Sequence, residues 1–409
     1  MKICVFTLGC KVNYSESASL IRGLKDMGYE VTDELEFADL YIVNTCAVTG
    51  EAEKKSRQVS ARISAINPDA RVIFTGCATE HSPESFASKQ NAGLITGTFR
   101  KGDILNMLSE EGVRISPQTK EYEELLPALT LRTRSYLKIQ DGCNNFCSYC
   151  IIPYLRGRSR SRAPESIIKE IEETSPIECV LNGINISDYK HGEDDLTVLM
   201  QKLASVNCRI RLGSLEVGVI DDSLLSALKN LKDFAPQFHL SLQSGSDTVL
   251  KKMNRHYTAK EYLDKVNLIR EYFPTAGITT DVIVGFPTET EDEFLQSVEF
   301  CKAVGFSDIH PFPYSKRTGT VASKLTEVPS SIKKERLKKL IEVKNNLRDA
   351  FNKSMLGKKL SVLFETTEDG LSVGYSANYI RVYAKGVPTD KIIEVTALSL
   401  YKDGVYAEL

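Results

Sequence analysis

A chain of 409 residues exceeds what one ordinary hydrophobic core organises, so two or three domains are expected. Its composition, 42% hydrophobic and 26% charged, reads as globular, and apolar runs no longer than a strand exclude a bilayer-spanning helix. Ten cysteines behind an opening "MKICVFTLGC" too short for a signal-peptide core point to reduced thiols or metal ligands in the cytoplasm, and a net charge of −2 argues against nonspecific nucleic-acid binding.

The first hundred residues alternate strand and helix patterns. "KICVFTLG" reads as a buried strand, "SESASLIRGLKDMG" as a helix ending at Gly28, and "ADLYIVNTC" as a second strand. "GEAEKKSRQVSARISAI" is a helix stopped by Asn67 and Pro68, and "ARVIFTGC" a further strand. Such alternation implies a parallel sheet covered on both faces. Cys10, Cys46 and Cys77 each end one of these strands, and strand carboxyl ends are where open α/β sheets bind ligands.

A linker is expected over 116–134, after an N-terminal domain over 1–115. A second series then supplies six strands, from "SYLKIQ" to "SDIHPFPYS", with helices at Pro164–Thr174, Leu196–Val206, Asp221–Leu231, Ala259–Tyr272 and Glu289–Val304. This predicts an open, partial (β/α)6 barrel over 135–345 whose functional rim is again the strand carboxyl ends. A helix from Ser331 ends near Gly357, and short alternating strands follow, so 346–409 reads as a small antiparallel β-barrel or sandwich. The expected class is α/β, in three modules.

The most informative stretch is "QDGCNNFCSYCIIPYLRGRSRSR". It places Cys143, Cys147 and Cys150 directly after the first strand of the barrel series. A structural zinc site takes four protein ligands, and three thiols with no histidine near in sequence leave one missing. An iron–sulfur cluster with one open iron uses three thiolates as they stand. The four arginines Arg156, Arg158, Arg160 and Arg162 follow, either as a solvated face or as phosphate contacts.

CxxxCxxC with aromatic Tyr149 before the last cysteine resembles the signature of the radical S-adenosylmethionine (SAM) enzymes. The resemblance implies a 4Fe–4S cluster on Cys143, Cys147 and Cys150, with SAM on the open iron and Tyr149 near its adenine. It further implies SAM contacts at the strand ends: Asn182 and Gly183 in "LNGIN", Glu216 in "GSLEVG", Gln243 in "SLQSGS", and Arg255. Ordinary loop salt bridging is the alternative reading of the last three. Many members carry Thr where this chain has Asn182.

Taken with Cys10, Cys46 and Cys77, the whole chain resembles the methylthiotransferase family. That resemblance implies a second, auxiliary 4Fe–4S cluster on those three cysteines, sulfur insertion at a C–H bond, and an electron donor such as flavodoxin or ferredoxin. Cys4, Cys179, Cys208 and Cys301 are left as core residues. "TLGCKVNYSES" resembles the branch acting on threonylcarbamoyl-adenosine at position 37 of tRNA; the other branches act on isopentenyl-adenosine or on an aspartate of a ribosomal protein. Arg156, Arg158 and Arg160 would then hold phosphates of the anticodon loop. The C-terminal module resembles the TRAM domain, although residues 350–409 balance seven Lys/Arg against seven Asp/Glu. An RNA-binding protein with two structural metal sites is the reading without catalysis.

Overall fold

The computed structural model describes residues 1–127 and 133–409, so part of the expected linker lies outside the described residues. Strands β1 (Lys2–Thr7), β2 (Glu30–Thr32), β3 (Leu40–Thr45), β4 (Arg71–Gly76), β5 (Ala92–Thr96) and β6 (Gly112–Arg114) pair in parallel, in the order β2-β1-β3-β4-β5-β6. Successive strand residues face opposite sides. Ile3, Val5, Ile42 and Ile73 pack with Leu20 and Leu24 of helix α1 (Lys11–Asp26). Cys4, Tyr41, Val43, Val72 and Phe74 pack with Val59 and Ile63 of α2 (Gly50–Ile66). Helix α1 leads outward from β1 to β2, whereas α2 leads the other way, from β3 to β4. Strand order therefore reverses between β1 and β3, the position at which such sheets leave a ligand crevice.

The described residues divide into two compact units. One comprises Met1–Thr174, Leu181–Asp195 and Ser315–Ser323; the other comprises Ser175–Val180, Leu196–Tyr314 and Lys324–Leu409. In the second unit, strands Ser214–Leu215, Gln237–Leu240, Gly277–Val284 and Asp308–Pro313 form a parallel sheet. The intervening helices begin where the sequence supplies caps. Asp221 accepts the Leu224 N–H, and Thr258 with Glu261 and Thr290 with Glu293 form reciprocal capping boxes. The two earlier strands of the series occur at Arg134–Lys138 and Glu178–Asn182.

The C-terminal strands Lys359–Glu368, Leu371–Ser376, Arg381–Ala384, Lys391–Tyr401 and Gly404–Glu408 close into a barrel, not a sandwich. Leu360, Val362, Phe364, Val382, Val395 and Val405 fill it. One helix, Ser330–Ser354, runs unbroken through the boundary expected at 345/346, because nothing breaks it before Gly357 at φ +78°. Cys4, Cys179, Cys208 and Cys301 are buried, as expected of core residues.

Candidate functional site

Cys10, Cys46 and Cys77 follow β1, β3 and β4, three neighbours in the sheet, and share its carboxyl edge at the reversal of strand order. Two glycines allow the approach. A Cβ on Gly9, at φ +104°, would stand 2.7 Å from Cys46 Cβ and 2.8 Å from its Sγ. Gly76, at φ +108°, turns β4 into helix α3 (Cys77–His81) with its Cα side 2.5 Å from the Thr45 carbonyl oxygen once a Cβ is added. Other residues pay a steric cost in this conformation. Asn13 Nδ2 fastens the edge by donating to Leu8 O at 2.7 Å and Thr45 O at 3.0 Å.

Burial pushes the Cys46 thiol up to about 12, and the Cys77 and Cys10 thiols push the same way. The Cys77 thiol is also raised by burial, with Arg156 pulling against it. Buried thiols resist ionisation, and a positive charge beside them favours the thiolate, the form that binds metal.

The second cysteine loop lies in the same unit. Gly142, at φ +71°, passes so close to the chain at Gly157–Arg158 that a Cβ would overlap Arg158 O at 2.1 Å. The Cys143 N–H donates to Gly157 O at 3.1 Å and the Cys150 N–H to Cys147 O at 3.0 Å. Asn145 N–H donates to Cys143 Sγ at 3.4 Å, and Asn185 Nδ2 lies 3.9 Å from the same sulfur. Tyr149 is half-buried. The distant segment Ser315–Ser323 touches both cysteine regions. Ala322 N–H donates to Ser148 O at 2.7 Å, Gly50 N–H donates to Ser315 Oγ at 3.0 Å, and Arg317 pairs with Glu53.

Between the two sets lies a buried charge network that the sequence reading did not anticipate. Arg156, fully buried, donates to Cys77 Sγ at 3.2 Å, Glu16 Oε1 at 2.8 Å, Asp141 Oδ1 at 3.1 Å and Asn13 Oδ1 at 2.8 Å. Lys138 Nζ reaches Glu16 at 3.0 Å and Asp141 at 2.9 Å, while Lys101 pairs with Glu16. Arg160 donates to Asp141 Oδ2 at 3.1 Å and to Arg156 O at 2.6 Å. This corrects the expectation for Arg156 and Arg160: both are interior residues with acidic partners, so neither presents a charge to a phosphate. Arg158 differs. It is exposed, with its guanidinium 4.3 Å above the Phe146 ring. On helix Ser330–Ser354, Arg336 is likewise buried, 2.7 Å from Glu289.

The expected SAM contacts fall in both units. Asn182, 2% exposed, donates its amide to Ser15 Oγ at 3.1 Å and so serves α1 instead of an open rim. Gly183 packs where a Cβ would come within 2.7 Å of Gln140 Oε1, the oxygen that accepts the Asn185 N–H at 2.8 Å. In the second unit, Glu216 and Arg255 form an ion pair. Arg255 also donates to Ser241 O at 3.0 Å and Tyr257 Oη at 3.1 Å. Gln243 adopts φ +67°, and its backbone bridges to Asp281 O and Ile283 N at 2.9 Å each.

Residues 137–301 match the model of the Radical SAM superfamily, and residues 2–97 that of the Uncharacterized protein family UPF0004. The cysteine loop on a parallel-stranded scaffold thus defines a radical-SAM protein, for which SAM and a 4Fe–4S cluster are the cofactors. The chain is 37% identical to the threonylcarbamoyladenosine tRNA methylthiotransferase MtaB of Bacillus subtilis (strain 168), over 98% of this chain and 94% of that protein. It is 38% identical to MtaB of Aquifex aeolicus (strain VF5), over 89% and 92% of the two chains. Identity to the tRNA-2-methylthio-N(6)-dimethylallyladenosine synthase of Clostridium perfringens (strain SM101 / Type A) is 36%, over 88% and 86%. The chain belongs to the radical-SAM methylthiotransferase family. Among solved structures, the radical S-adenosylmethionine methyltransferase TsrM from Kitasatospora setae superposes with a TM-score of 0.56 at 14% identity, over 79% of this chain and 77% of that one, a likeness of fold.

Proposed function

We propose that this chain methylthiolates tRNA, converting N6-threonylcarbamoyladenosine at position 37 to its 2-methylthio derivative. The observation that carries the reading is the gathering of Cys10, Cys46 and Cys77 on one sheet edge, in the same unit as the Cys143–Cys147–Cys150 loop and joined to it through Arg156. All six donors are thiols, as two iron–sulfur clusters require. Cys143, Cys147 and Cys150 would hold the cluster that binds SAM, and Cys10, Cys46 and Cys77 the auxiliary 4Fe–4S cluster. When bound, these groups supply the radical and sulfur chemistry that acid–base side chains cannot perform at a C–H bond.

The protein's own share is placement. Gly9, Gly76 and Asn13 fix the auxiliary thiols, while Gly142 and the Asn145 N–H shape the Cys143 loop. Tyr149, Gly183, Glu216, Gln243 and Arg255 are the residues assigned to SAM, with Arg255 orienting Glu216 through their ion pair. Exposed Arg158 is assigned to the anticodon-loop backbone, where an unstacked base is reachable. Electrons would come from a flavodoxin or ferredoxin in the cytoplasm. Among the described residues no helix is long and apolar enough to cross a membrane.

Both adenosine-directed names occur among relatives at nearly equal identity, so the choice of threonylcarbamoyladenosine rests on "TLGCKVNYSES". The test is expression in a bacterial strain lacking its own methylthiotransferases, with tRNA nucleosides read by mass spectrometry. A methylthio adduct on threonylcarbamoyladenosine supports the reading. An adduct confined to dimethylallyladenosine redirects it, and none at all overturns it.

A further inference from the structure

The network around Arg156 is unbalanced. Four cations, Lys101, Lys138, Arg156 and Arg160, share two carboxylates, Glu16 and Asp141, and all six residues are buried. Every carboxylate oxygen is already engaged: Glu16 Oε1 by Lys138 and Arg156, Glu16 Oε2 by Lys101, Asp141 Oδ1 by Arg156, and Asp141 Oδ2 by Lys138 and Arg160. Glu80 is within electrostatic reach of Arg156 and Lys101, but its carboxylate accepts the Thr98 N–H at 2.9 Å; counting it still leaves the cations in excess. Uncompensated charge in an interior is strongly unfavourable unless an opposite charge adjoins it. Here the network meets the thiol edge through Arg156, whose Nε donates to Cys77 Sγ at 3.2 Å and whose Nη2 donates to Asn13 Oδ1 at 2.8 Å.

We infer that this buried cation excess is the counter-charge of a thiolate-bound cluster at Cys10, Cys46 and Cys77, and that it sets the potential at which that cluster accepts an electron. The inference rests on the reading of those cysteines as cluster ligands. Three thiolates outweigh the positive charge of an iron–sulfur core, so the bound cluster is an anion, and reduction makes it more so. In that step one electron enters from an external low-potential reductant, and no bond or proton is exchanged. Fixed cations beside the ligands stabilise the reduced form more than the oxidised one. Arg156 is therefore a positioning residue with an electrostatic task. It leaves the loop that carries Cys143, Cys147 and Cys150, yet its charge acts on the other set.

The test uses the full chain with Cys143, Cys147 and Cys150 replaced by Ala, so that only the auxiliary cluster forms on anaerobic loading with iron and sulfide. Its potential is read by electron paramagnetic resonance during a reductive titration. Arg156→Gln is expected to lower the reduced-to-oxidised ratio at a fixed potential at least about tenfold, a downward shift of about 59 mV for one electron. Arg156→Lys, which keeps the charge, should stay within about threefold of the parent. Lys101→Met should shift the potential downward as well, and it carries the test if Arg156→Gln does not fold. Unchanged potentials in these variants at full iron content overturn the inference, as does an equal shift in Arg156→Lys and Arg156→Gln. Absence of iron from the parent overturns the cluster reading itself.

Discussion

The guanidinium of Arg156 donates to the sulfur of Cys77 across 79 residues of sequence, 3.2 Å from nitrogen to sulfur. With the 2.8 Å bond from Arg156 to Asn13 Oδ1, it joins the loop of the second cysteine set to the edge of the first. It also explains why an arginine in a basic-looking stretch is fully buried.

Glu16 is the anion on which the network turns. Burial alone would raise its carboxyl, but Arg156, Lys101 and Lys138 overcome burial and hold it well below the usual carboxylate range. A depressed acid stabilises the fold above its unfolded pKa, and that stability is lost as pH falls through the carboxylate range. Glu16→Gln should cost about 3–5 kcal/mol at neutral pH by leaving its cations unpaired, and should shrink the acid-side loss seen in the parent. Urea unfolding at pH 7 and pH 4 measures both effects; equal midpoints for variant and parent at pH 7 would refute the role.

Gly9→Ala tests the thiol edge. The added methyl meets Cys46 at 2.7–2.8 Å in a backbone conformation that alanine adopts at a cost of about 1–3 kcal/mol. The expected result is a lowered melting temperature and loss of the iron assigned to one cluster, with the other retained. Iron analysis after anaerobic loading measures it.

Gly183→Ala crowds Gln140, which braces the Cys143 loop through its contacts with Asn185 and Gly142. A cost of about 1–3 kcal/mol from overpacking is expected, together with weaker SAM binding. Equilibrium dialysis of the loaded protein with labelled SAM checks the second part.

Arg158 and Arg160 should separate cleanly. Arg158→Ala, at an exposed position, should leave stability within about 0.5 kcal/mol and flatten the salt dependence of tRNA binding by about one unit of slope. Arg160→Ala breaks the buried pair with Asp141 and should destabilise the fold. Binding curves at several salt concentrations, beside thermal melts, distinguish them.

The strand and helix series was legible because period and punctuation agree. Helix Pro164–Thr174 and helix Ala259–Tyr272 occupy the residues that their apolar spacing and caps predict. The shared edge of Cys10, Cys46 and Cys77 was legible too, since they follow neighbouring strands of one parallel sheet. The Arg156 network was not. Glu16 sits in a helix reading "SESAS", and Lys101 and Lys138 stand 85 and 122 residues away from it, so no local pattern joins them. Alternating arginines look alike in sequence, and only packing sends Arg156 and Arg160 inward while Arg158 stays out. Asn182 was placed on a rim by its strand end, yet its amide faces α1.

The central claim is best tested in vitro, with the loaded protein, SAM, a low-potential reductant and tRNA bearing threonylcarbamoyladenosine, under anaerobic conditions. Nucleoside mass spectrometry should show the 2-methylthio derivative with the parent and none with Cys143→Ala or Cys10→Ala. Product formation undiminished in Cys10→Ala, or SAM cleavage with unmodified tRNA from the parent, would contradict the account.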